Sequence, residues 1–157
     1  MKRFPNDEVL IGDAYGYLEM MYKRFDFIWA SPPCTSHTQL CRWHKNKKLP
    51  DFRLYSIIIF LRTWSNAHWV VENVLPYYQT LIKSTARVGR HLIWSNFPIK
   101  NMKYSGCDIP TGLKGGNRKI EKIIITQETN DQMNPIYGKY ILDQINNQNQ
   151  QLLESYL

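Results

Sequence analysis

Apolar positions along the chain fall into short bursts that change period from one segment to the next. The run Glu8-Val9-Leu10-Ile11, stopped by Gly12-Asp13, predicts a strand. From Ala14 to Phe25 the spacing turns helical, with Tyr17, Met20, Met21 and Phe25 near one face. Phe27-Ile28-Trp29-Ala30 reads as a short buried strand ended by Ser31-Pro32-Pro33-Cys34, where two prolines forbid further regular pairing. A polar, basic loop covers 35–50. Asp51 to Ser65 carries the strongest helical stripe, formed by Leu54, Ile57, Ile58, Leu61 and Trp64. His68-Trp69-Val70-Val71 predicts another buried strand, leading into Glu72-Asn73-Val74 and Pro76. Further strands are expected at Leu92-Ile93-Trp94 and at Lys122-Ile123-Ile124-Ile125-Thr126. Between them lies a loop-rich stretch with Gly106, Pro110, Gly112, Gly115 and Gly116. A helix starts near Pro135, and 141–157 reads as a helical tail whose Asn/Gln-rich end is solvated. Trp29, Trp64, Trp69 and Trp94 fall on these apolar positions and are expected in the core.

Strands alternating with helices predict an α/β fold: an open, mostly parallel sheet with flanking helices in a single domain over 1–157. Such sheets carry their sites at the carboxyl ends of strands. Three unusual residue groups stand there: Gly12-Asp13, Pro32-Pro33-Cys34 and Glu72-Asn73.

Composition narrows the class. With 157 residues, 43% hydrophobic and 13% aromatic, the chain can bury a core and is not disordered. No apolar run is long enough for a bilayer, and the opening Met1-Lys2-Arg3-Phe4-Pro5-Asn6-Asp7 lacks the apolar stretch of a signal peptide. Three cysteines with no framework spacing fit a reducing compartment, so a cytoplasmic, non-secreted protein with no membrane partner is expected. The formal charge of +7 is compatible with a nucleic-acid partner.

Two residues then stand out chemically. Cys34 follows two prolines at a strand end, in a stiff, extended turn that holds a thiol outside the core, and a thiolate is a strong nucleophile. Glu72 follows an apolar strand, and a carboxyl taken partly out of water holds its proton more readily, as a general acid must. Cys34 reads equally as a small hydrophobe closing the strand, and Cys34-x-x-His37-x-x-x-Cys41-x-x-His44 has plausible zinc spacings, in which case Cys34 would be an inert ligand; no metal is expected only because the preceding strand and Pro-Pro fit the motif considered next better.

Taken in order, these residues resemble the cytosine-5 DNA methyltransferases. Ser31-Pro32-Pro33-Cys34 resembles that family's Pro-Cys nucleophile motif, and Glu72-Asn73-Val74 matches its Glu-Asn-Val motif. Gly12-Asp13 is similar to the strand end that bears its cofactor-adenine aspartate. Separations of 21 residues from Asp13 to Cys34 and 38 from Cys34 to Glu72 are close to those of the family. Gly89-Arg90-His91-Leu92-Ile93-Trp94 resembles the later arginine-bearing strand, and Asn134-Pro135 with its helix the closing motif.

The resemblance implies a truncated Rossmann-like, S-adenosylmethionine-dependent methyltransferase fold. It also implies methyl transfer to C5 of a cytosine flipped out of double-stranded DNA, through a covalent Cys34 adduct. Cys34, Glu72 and Arg90 would be catalytic. Asp13, Pro32 and Asn134 would bind the cofactor, and Pro33 and Asn73 would support the Pro-Cys loop. Arg42, Lys45, Lys47 and Lys48 lie in the segment that in the family closes over DNA, and would neutralise phosphates.

The departures are equally specific. No Gly-x-Gly occurs anywhere, so the family's first βαβ unit, with its Gly-rich cofactor loop, is expected to be missing. The family's Gln after the cysteine is Thr35, and its second strand arginine is Leu92. Two expectations follow. A second copy of the chain, or a complementary N-terminal fragment, completes the sheet as partner. The alternative is a catalytically incomplete methyltransferase-like module that binds DNA or a partner without methylating.

Overall fold

A computed structural model describes residues 8–39, 41, 49–103 and 135–155, with the side chains of the last helix described through residue 147. Within them the chain is α/β: a four-stranded mixed sheet flanked by helices. In chain order the elements are α1 (Ala14–Met21), a 3-10 turn (Tyr22–Arg24), β1 (Phe27–Ala30), α2 (Arg53–Trp64), β2 (His68–Val74), β3 (Ala86–Val88), β4 (His91–Ser95) and α3 (Pro135–Ser155). The predicted strand at 122–126 lies outside the described residues.

The sheet order is β1-β2-β4-β3. β1 and β2 are parallel, with Phe27 opposite His68 and Ala30 opposite Val71. β2 and β4 are antiparallel, as are β3 and β4. The expectation of a mostly parallel sheet is therefore corrected to a mixed one. The cause is the tight β3–β4 hairpin, which turns at Gly89 with φ +59° and reverses the chain within two residues. Three residues, Ala86–Val88, were too short a run to register as a strand in the sequence.

The two faces of the sheet are buried by different helices. α2 lays Leu54, Tyr55, Ile57, Ile58 and Leu61 against Ile28, Trp69, Val71 and Trp94. Ile58 and Leu61 are fully buried, and each such side chain contributes about 1.5–3 kcal/mol. Trp64, expected on this stripe, is 62% exposed in the helix's last turn. Trp29 is half-buried on β1, and Trp69 and Trp94 are core as expected. On the other face α3 buries Tyr137 and Ile141 against Val70, Ala86, Val88 and Ile93. Ile141 is fully buried, so the docked part of this helix reaches at least that residue.

Two further expectations are corrected near the start. Glu8–Ile11 forms no strand; Leu10 is 58% and Ile11 fully exposed, and no neighbouring strand among the described residues offers it a ladder. In α1 the predicted apolar face is not the buried one. Leu18 faces the core, while Met20 is 75% exposed and Tyr17 and Phe25 are at the surface. Asp13 caps this helix, its carboxylate accepting the Tyr15 N–H at 3.2 Å.

Candidate active site

β2 runs three residues past the end of β1, since the last parallel pair is Ala30 with Val71. Glu72, Asn73 and Val74 therefore pair only with β4, opposite Ile93, Leu92 and His91. On the β1 side of this overhang the chain after Ala30 is the Pro-Cys loop. A side chain replaces the missing ladder: Asn73 donates from Nδ2 to the Pro32 carbonyl at 2.9 Å, and its Oδ1 accepts the Val74 N–H at 3.0 Å. Asn73 is buried, so a lost bond here would leave a desolvated amide.

The loop is held again just past the cysteine. His37 and Thr38 both donate backbone N–H to the Cys34 carbonyl, at 2.9 and 3.1 Å, closing a turn. That turn is fastened to the segment after β2. Tyr77 N–H donates to the His37 carbonyl at 3.0 Å, and the Tyr78 hydroxyl meets His37 Nδ1 at 2.5 Å. Tyr55 on α2 donates in turn to the Tyr78 hydroxyl at 3.2 Å. Cys34, which is half-buried, thus sits between two anchors on the same neighbouring strand and its continuation.

His37 is almost fully buried, and burial pushes its imidazole below the ordinary histidine value, with Asp51's charge opposing. The unfolded chain therefore takes up this proton near the ordinary value of about 6.5, while the folded chain takes it up only at lower pH. Stability is full above about pH 6.5 and falls as pH drops through the folded value. Urea midpoints at pH 7.5 and 5.5 should show the loss, and a His37→Asn variant should lose less over that interval.

Glu72 and His91 form a buried pair, Oε1 to Nδ1, on adjacent strands. Arg90 is half-buried in the turn before β4, and its carbonyl accepts the Leu75 N–H at 3.2 Å. Cys34, Glu72 and Arg90 therefore collect at one end of the sheet, where the β1 loop, the end of β2 and the start of β4 meet. His91 is the residue that sequence reasoning left aside. Its pairing depends on the β2–β4 register, which no local pattern encodes.

Asp13 and Pro32 meet beside β1. Both line a cleft of about 560 Å³ whose walls include Tyr17, Leu18, Phe27 and Trp29. Arg53, at its rim, is held by the Asp51 carboxylate at 2.6 Å. Pro33 also lines this cleft.

The basic loop begins and ends at fixed points. The Cys41 thiol donates to the Thr35 carbonyl at 3.1 Å, and Ser36 Oγ accepts the Asp51 N–H at 3.0 Å. Arg42, Lys45, Lys47, Lys48 and Asn134 lie outside the described residues, as does His44. Of the zinc-spaced residues, His37 and Cys41 are engaged as above, and no cluster of three metal-ligating side chains occurs among the described residues. No helix among them is long and apolar enough to cross a membrane.

Comparison with known proteins finds no matching family model, no matching curated protein and no matching solved structure.

Proposed function

We propose that this chain is the catalytic part of a DNA cytosine-5 methyltransferase, built on a truncated Rossmann-like sheet. The observation that carries the reading is the Asn73–Pro32 hydrogen bond, which joins the Glu-Asn-Val strand to the Pro-Cys loop across 41 residues of sequence. Two short motifs, each weak alone, are thereby neighbours at one sheet end.

In this reading the Cys34 thiolate attacks C6 of a cytosine turned out of the duplex. The Sγ–C6 bond forms as the C5–C6 double bond opens. Glu72 donates a hydrogen bond or proton to N3, drawing electrons from C6, and Arg90 contacts the cytosine carbonyl or steadies Glu72. Once C5 carries the transferred methyl group, loss of its proton to a base restores the double bond and expels the thiolate, and the N3 proton returns to Glu72. Asn73 and the His37–Tyr78 contact hold the nucleophile's loop still while these bonds change.

The cleft beside β1 fits the adenine end of S-adenosylmethionine. Its walls are largely aromatic and aliphatic, and Asp13 offers a carboxylate acceptor for an exocyclic amine. Asp13 and Pro32 would hold the cofactor there, joined by Asn134 in the resemblance. When bound, S-adenosylmethionine supplies the methyl group for C5.

The direct test is transfer of labelled methyl from S-adenosylmethionine to cytosine-containing duplex DNA. A second reading, a DNA-binding module without transfer, is favoured by one detail: Arg53, the cation lining the cleft, is already engaged by Asp51. Calorimetry with S-adenosylmethionine, followed by assay with a complementary N-terminal fragment, separates the two, since the module gives neither heat nor transfer in either case. In either reading Lys45, Lys47 and Lys48 contact phosphates. Replacing all three with alanine should weaken DNA binding and reduce the slope of log K against log salt by about 2–3.

A further inference from the structure

We propose that His91 is a positioning residue for Glu72: its Nδ1–H fixes one carboxyl oxygen, so that the other is the one presented to a base. The inference rests on the role given to Glu72 above and adds a residue outside the motif that suggested it.

The strand register brings the two together. Glu72 stands opposite Ile93, and His91 opposite Val74, on antiparallel strands. They are diagonal neighbours on one face of the sheet, close enough for long side chains to meet. Nδ1 of His91 is bonded to Oε1 of Glu72, and the two side chains are only 8% and 9% exposed. The other ring nitrogen, Nε2, is buried with no hydrogen-bond partner among the described residues.

That orphan decides the tautomer. A neutral imidazole carries one N–H. With the proton on Nε2, a buried donor would have no acceptor, which is the rarer and costlier kind of orphan. With the proton on Nδ1, the donor is satisfied by Glu72 and only a lone pair is left over. The Nδ1–H form therefore donates to Oε1, and Oε2 is the oxygen free of this contact.

The consequence is an asymmetric carboxyl. When Glu72 passes a proton to the ring nitrogen of a cytosine, the Oε2–H bond breaks and the N3–H bond forms, while His91 keeps its own proton throughout. The carboxylate left behind accepts the Nδ1–H as a charge-assisted hydrogen bond, roughly twice as strong as the neutral one before it. His91 thus stabilises the state after proton transfer more than the state before, which is the requirement for a group that speeds the step.

Nitrogen-15 spectra of the four histidines, with His91 assigned by its absence in His91→Asn, read the tautomer directly. The expected result near neutral pH is a protonated Nδ1 and a bare Nε2; a protonated Nε2 overturns the proposal. In methyl transfer, His91→Leu should lower kcat about tenfold or more with KM for DNA unchanged, and His91→Asn, whose Nδ2–H can stand in for Nδ1–H, should return to within about threefold of wild type. A Leu variant that turns over at the wild-type rate, or an Asn variant no better than Leu, also overturns it. If the Leu variant does not fold, the spectrum alone decides. Absence of any methyl transfer by the wild type sinks the cytosine reading but leaves the tautomer test of the pair intact.

Discussion

A Cys34→Ala variant should lose methyl transfer by at least about a thousandfold and form no covalent adduct with DNA containing 5-fluorocytosine. Fluorine at C5 cannot leave as the proton does, so an enzyme that attacks C6 through sulfur stays attached to such DNA. The size of the effect follows from the chemistry, since alanine offers nothing to form the bond. The fold should survive, because the contacts that hold the loop use other atoms. Asn73 binds the Pro32 carbonyl, and the turn after Cys34 is closed through its backbone carbonyl. Cys41 supplies an internal control. It is buried, with its thiol on the Thr35 carbonyl, and Cys41→Ala should still be trapped on the same DNA. An adduct formed by Cys34→Ala would disprove the nucleophile assignment.

The largest effect on stability from one methyl group is expected at Gly89. Its φ of +59° lies where a side chain strains the backbone. A Cβ there would also come within 2.8 Å of the Tyr137 hydroxyl and 2.9 Å of its ring. Tyr137 is 1% exposed and anchors α3 to the sheet, so it cannot step aside without opening the second core. Gly89→Ala should therefore cost about 2–4 kcal/mol, combining backbone strain with displacement of a packed ring. Gly138, one residue along α3 from Tyr137, is the contrast. A Cβ there meets nothing within 4 Å, and Gly138→Ala should stabilise the helix by up to about 1 kcal/mol. Urea unfolding of the two variants reads both signs on one scale.

Periodicity was sufficient for the long elements and failed where partners decide. The stripe Leu54, Ile57, Ile58, Leu61 located α2 because a helix repeats its own pattern. Glu8–Ile11 has strand composition and forms none, since a strand needs a neighbour and composition does not supply one. β3 escaped notice because its three residues owe their conformation to the turn at Gly89 and to β4. At the site the same division holds. Cys34 and Glu72 could be picked out as residue types at strand ends. Asn73 reaching Pro32, Tyr78 reaching His37 and His91 reaching Glu72 span 41, 41 and 19 residues, and each depends on how strands are ordered in the sheet.

Pro32 and Pro33 have a consequence beyond the loop they stiffen. β1 is one of the two edge strands of the sheet, four residues long, with its outer side unpaired among the described residues. An exposed apolar edge invites foreign strands and, in the extreme, fibrous aggregation. Two prolines directly downstream carry no N–H and cannot extend a ladder, so an incoming strand cannot run far past Ala30 along this edge. The residues that set Cys34 in place also act as gatekeepers, stopping strand addition at this edge from running on along the Cys34 loop.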